Sequence, residues 1–175
     1  MNPETVPSDI QELLTKGPQG IELTRQESEL YRLLSEYREE NGKPAIPLSK
    51  SLTYVAQLHV RDLTANKVAP PYTLQSWSKN GPWEGVRYTA NHRHARLMWN
   101  KPKELTNYSG DGFEITFSRK GGTNARTAFN SWIRQKSVSS IILNAGNWET
   151  ISWKAVGVGL HGEFAVIWFG DKEDQ

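Results

Sequence analysis

The chain has 175 residues, a formal charge of +2, no cysteine, and an aromatic complement of seven Trp, six Tyr and five Phe. That length gives one domain able to bury about 70% of its unfolded surface without staples. Disulfides, thiolate catalysis and Cys-ligated zinc are excluded, interspersed charge gives no electrostatic case for nucleic acid, and no apolar run approaches a transmembrane span.

Residues 1–23 carry three of the prolines and one short apolar cluster, Ile10, Leu13 and Leu14, and read as an N-terminal tail with one or two helical turns. The opening Met1-Asn-Pro-Glu reads as a trimmed start, so the lack of an export signal says nothing of the protein's address. Thr24 and Glu27 form a capping box, and Leu30, Leu33, Leu34 and Tyr37 follow on one helical face until Asn41-Gly42 stops it. A second helix is expected from Ser51 to Lys67, ended before Pro70-Pro71.

Residues 72–111 are irregular, with a short helix expected around His92 to Trp99. Trp77, Trp83, Tyr88 and Trp99 fall here, either flooring a groove or pinning a long connection to the body; pinning is favoured. Gly112 to Phe117 has the period of a strand, and Ala125, Ala128, Phe129, Trp132 and Ile133 make a third amphipathic helix. Val138 to Leu143 is left open as helical or extended. The end of the chain reads as an antiparallel hairpin: Val156, Val158 and Leu160 alternate with small residues, Gly162 marks the turn, and Phe164 to Phe169 is an unbroken apolar run buried on both faces. Gly157 and Gly159 share one face, so something must approach that face closely. Helices before and between antiparallel strands give an α+β domain over 24–170, with 171–175 as a C-terminal tail.

Three pieces in this order, Leu52–Leu63, Ala128–Ile133 and Trp153–Gly159 with Ala165–Phe169, resemble the CAP superfamily of cysteine-rich secretory, antigen 5 and pathogenesis-related proteins, also called SCP-like. The resemblance implies a three-layer α-β-α sandwich with a small antiparallel sheet and a cleft on one face. It also implies two histidines and two glutamates around that cleft, a set suited to a divalent metal. The corresponding positions here are altered. Gln75 stands for the first histidine in Thr73-Leu-Gln-Ser-Trp77, Val138 for the second, and Gln135 for one glutamate; Glu114 alone keeps its type. An amide oxygen is a poor zinc ligand and a valine is none, so no metal or other cofactor is expected.

His59 lies on the inner stripe of its helix. It either edges the cleft, with Gln75 or Glu114 as partner, or is a buried imidazole satisfied by a main-chain carbonyl; the second is favoured. His92 and His94 are expected at the surface, and Arg119, Lys120, Arg126, Arg134 and Lys136 as a solvated face. Ser137, Ser139 and Ser140 lack a nucleophile elbow, and Glu104 is an unsupported second acid to Glu114 for glycoside cleavage.

The expectation is therefore a binding domain rather than an enzyme, with Gln75, Glu114, Val138, Gln135, His59 and Trp77 as cleft candidates. Its ligand would be a lipid or sterol, a cell-wall fragment or a protein, and the resemblance implies a secreted or cell-surface setting. The alternative is a hydrolase, metal-dependent or not, using the same cleft.

Overall fold

Helix α3 (Lys50–Ala65) lies directly on a three-stranded antiparallel sheet because two glycines remove the side chains that would hold it off. A methyl group on Gly159 would stand 2.5 Å from the Ala56 carbonyl oxygen, and one on Gly157 would overlap the Leu52 main chain. The sheet order is β1 (Gly112–Ser118), β3 (Phe164–Gly170), β2 (Ala155–His161), so the last strand is central. That position explains its continuous apolar run, since every residue of β3 is buried. Alternation sorts the strands between two cores. Phe164, Val166 and Trp168 join α3 on one face; Ala165, Ile167 and Phe169 join Val156, Val158 and Leu160 on the other.

The computed structural model describes residues 6–175; the first part of the expected tail, residues 1–5, lies outside them. The other helices are α1 (Ser8–Lys16), α2 (Arg25–Glu40), α4 (Ala95–Trp99), α5 (Lys101–Leu105), α6 (Ala125–Ile133) and α7 (Lys136–Leu143). Helices α1 and α3 cover one sheet face and α2, α6 and α7 the other, which gives the expected α-β-α layering. Helix α1 runs longer than the turn or two expected and packs on α3, with Ile10 fully buried. The 138–143 segment is helical, its start displaced to Lys136.

Buried charges fix how these layers meet. The Glu27 carboxylate closes the capping box by accepting from Thr24 N–H at 2.9 Å, and also accepts from Gln57 Nε2 at 2.8 Å and Leu160 N–H at 3.0 Å. Three donors thus solvate a charge that burial would otherwise penalise, and they join α2, α3 and the outer edge of β2. Arg38 spans α2 and the end of α7, donating to the carbonyls of Ile142 at 2.5 Å and Pro44 at 2.8 Å. Beyond β3, the Asp174 carboxylate accepts from Ser49 Oγ at 2.6 Å and Ser51 N–H at 2.9 Å, so residues just past the sheet cap the start of α3.

Candidate functional site

A cleft of about 770 Å³ lies along the outer edge of β1. Its walls come from the 73–92 connection, from α4 (Ala95, Met98, Trp99), from Phe113 and Glu114 of β1, and from Ile141 and Trp148. Phe113 organises the aromatic side: Trp99 lies 5.6 Å from it, and Trp148 stands at 5.5 Å and 78°, making a corner. Tyr88 and His92 form another wall, with the Tyr88 hydroxyl 2.6 Å from His92 Nδ1.

Glu114 belongs to this wall in an unexpected way. The residue is 7% exposed, yet none of its side chain reaches solvent, so what faces the cleft is main chain. Its carboxylate turns inward and hydrogen-bonds His59 Nδ1 through Oε2. His59 is wholly buried; its Nε2 lies 2.8 Å from the Ser76 carbonyl, and its ring stacks on Trp77 at 4.3 Å. His59 is thus the buried imidazole with a main-chain carbonyl on one nitrogen; it does not edge the cleft, although Glu114, the partner that alternative named, holds its other nitrogen. Burial raises the pKa of Glu114 against the opposing pull of His59 and the Trp168 indole. Burial also works against the imidazolium, but the Glu114 charge and hydrogen bond outweigh it and hold the His59 pKa above its ordinary value. Glu114 Oε1 and Trp168 Nε1, on cross-strand partners, are buried outside ordinary hydrogen-bond geometry.

The sequence-derived candidates divide. Gln75 lines the cleft, its Oε1 accepting from Thr73 Oγ1 at 2.7 Å. His59 and Trp77 lie behind the wall, in the core on the α3 side. Val138 and Gln135 are corrected: neither lines the cleft. Val138 and Ile141 both pack against the core beneath the sheet, but only Ile141, about a turn further along α7, also lines the cleft, and Gln135 is exposed at the start of α7 with its amide on the Ser131 carbonyl at 3.1 Å. The irregular-segment aromatics do both jobs weighed for them. Tyr88 and Trp99 line the cleft, whereas Trp77 and Trp83 pin the connection, Trp83 Nε1 donating to the Ser78 carbonyl at 2.8 Å. Phe113, Ile141 and Trp148 were missed; the signal for Phe113 was strand alternation, which sets it opposite Glu114.

Glu104 is structural. It pairs with fully buried Lys101 at 2.7 Å and accepts from Glu84 N–H at 2.8 Å. Among the described residues no three His, Cys, Asp or Glu side chains converge as a metal site. The donor set does not suit a divalent ion: Gln75 is a weak ligand, His92 is a single imidazole with its Nδ1 on the Tyr88 hydroxyl, and the one carboxylate at the cleft is sealed and already matched by an imidazole. Among the described residues no helix is long and apolar enough to cross a membrane.

No protein-family model matches the chain, and no curated protein matches it. Solved structures do. An outer surface protein from Borrelia burgdorferi superposes with a TM-score of 0.59 at 16% identity, over 87% of this chain and 97% of that one. A cysteine-rich secretory protein from Staphylococcus aureus gives 0.54 at 16% identity, over 84% of this chain and 38% of that one. An extracellular protein containing an SCP domain, from Bacillus anthracis, gives 0.59 at 15% identity, over 87% of this chain and 45% of that one. The chain therefore spans under half the length of the latter two. The likeness shows the fold: an α+β domain with the three-layer fold shared by these secretory and SCP-domain structures.

Proposed function

We propose that the chain is a non-enzymatic binding domain of a secreted or cell-surface protein, and that the cleft beside β1 is its ligand site. The observation that carries this reading is the pairing of largely apolar, aromatic walls with an acid whose side chain is sealed beneath them. Largely preformed apolar clefts with a few polar groups are the usual form of a ligand site. A general acid or base must come within hydrogen-bond reach of a substrate proton, and neither Glu114 nor His59 offers a free atom to the cleft. The surface setting is supported by the descriptions of the matched structures as outer surface, secretory or extracellular proteins.

The hydrolase alternative has one observation in its favour, a carboxyl group at the cleft with a raised pKa. Two experiments separate the readings. Titration with lipids, sterols, cell-wall fragments and peptides, followed by tryptophan fluorescence, is expected to give saturable uptake weakened by Gln75→Ala or Trp148→Ala. Casein and ester hydrolysis above background, lost in a folded Glu114→Gln variant, would replace binding with catalysis.

A further inference from the structure

The cleft borders a stretch of sheet edge whose main chain is unpaired. In β1 the ladder to β3 falls on odd-numbered residues. Arg119 N–H continues that ladder by donating to the Glu163 carbonyl at 2.9 Å, whereas even-numbered Thr116 turns its carbonyl outward to accept from Trp132 Nε1 at 2.8 Å. In an antiparallel strand the N–H and C=O of a residue point to the same side. Glu114 therefore directs both away from β3. Two residues on, Trp132 closes the edge through the Thr116 carbonyl, and two residues before, Pro102 packs over the sheet face at Gly112, where a Cβ would come 2.6 Å from Pro102 Cγ. Among the described residues no hydrogen bond from outside the sheet reaches the Glu114 N–H or C=O, and the exposed part of Glu114 is main chain.

We propose that the ligand of this cleft is an extended apolar peptide segment that pairs through its main chain with Glu114, adding a short strand beside β1, with an acidic group at one end over Arg96. The proposal rests on the binding reading above and names its ligand class. A bare donor and acceptor on a sheet edge are a template for another strand. Successive side chains of that strand project to opposite sides of the sheet plane. They would meet Gln75 and Tyr88 on the α3 side, and Phe113 and Trp148 on the other.

The charges fit an occupant that is neutral in the middle. No lysine or arginine lines the cleft, and the Glu114 charge is sealed. Trp99 is shared with an adjoining hollow of about 460 Å³ that contains Arg96 and Lys103. There Lys103 is matched by Asp111 at 2.7 Å, and Arg96 makes no ion pair among the described residues. A lipid chain would fill the walls but leave the Glu114 amide and carbonyl without partners, a cost a peptide avoids.

The test uses a library of N-acetylated hexapeptides with Val, Leu, Ile or Phe at alternate positions and a free carboxyl end, titrated into the whole 15N-labelled chain. Saturable binding is expected, with the Glu114 amide shifted downfield and slowed in hydrogen exchange. N-methylating the central peptide bond of the best binder should weaken it at least about tenfold, and Arg96→Glu should weaken the free acid more than its amide. Binding that is indifferent to N-methylation overturns strand addition and leaves the cleft as a binding site. Uptake of dodecanol or cholesterol with no library member bound has the same consequence. Saturation by none of these, nor by cell-wall fragments, overturns both readings.

Discussion

Glu114 and His59, 55 residues apart in sequence, share a hydrogen bond at a place no solvent reaches. Both groups hold protons more tightly in the fold than in the unfolded chain, since the pKa of each is raised. The sign of the linkage follows: the folded state binds more protons, so stability is full at the acid end and lost as pH rises. The window starts above the ordinary carboxylate value of 4.5 and extends beyond the ordinary imidazole value of 6.5. Thermal unfolding at pH 5, 6.5 and 8 is expected to show a falling midpoint. In Glu114→Gln, burial acts on His59 opposed only by the Ser76 carbonyl and Asp62. The slope should then reverse, with stability falling as pH drops through the imidazole range. An unchanged slope would refute the pair's role.

Gly159→Ala should be costly, because its new methyl meets the Ala56 main chain of α3 rather than a side chain that can rotate away. Overpacking of this kind costs about 1–3 kcal/mol or more. Chemical denaturation should show a lower midpoint with an unchanged slope.

Removing Glu104 strips the carboxylate from a lysine that is fully buried. Breaking a buried pair from one side costs about 3–5 kcal/mol; with Glu104 partly exposed, Glu104→Ala should fall at or below the lower end. The double variant Lys101→Met, Glu104→Leu should recover much of that loss. Equal losses in single and double variants would contradict the account.

Asp174→Ala should lower stability by about 0.5–2 kcal/mol, the usual worth of a helix cap. It deletes bonds to Ser49 and Ser51 and touches nothing in the cleft. Unfolding curves check the first effect and ligand titration the second.

Much of the fold was legible because its determinants are local. The Thr24–Glu27 box announces α2, the spaced glycines of β2 require a close neighbour that proves to be α3, and the apolar run of β3 marks a central strand. The site was legible only in part. Gln75 and Glu114 were placed at the cleft by resemblance, but that the Glu114 carboxylate turns inward depends on His59, which no sequence period links to it. Val138 and Gln135 miss the cleft for different reasons: Gln135 is the exposed residue that precedes α7, and Val138 shares its stripe with Ile141, which stands about one turn further along and holds the cleft position. Trp148 comes from a single 3-10 turn at Gly146–Trp148, too short to carry a periodic signal.

The most direct test of the central claim is an amide NMR titration of the whole chain with the lipid, sterol, cell-wall and peptide panel. The account predicts saturable shifts centred on Tyr88, Trp99, Phe113 and Trp148. Shifts that never saturate, or that gather on the basic face around Arg126 and Arg134 instead, would contradict it.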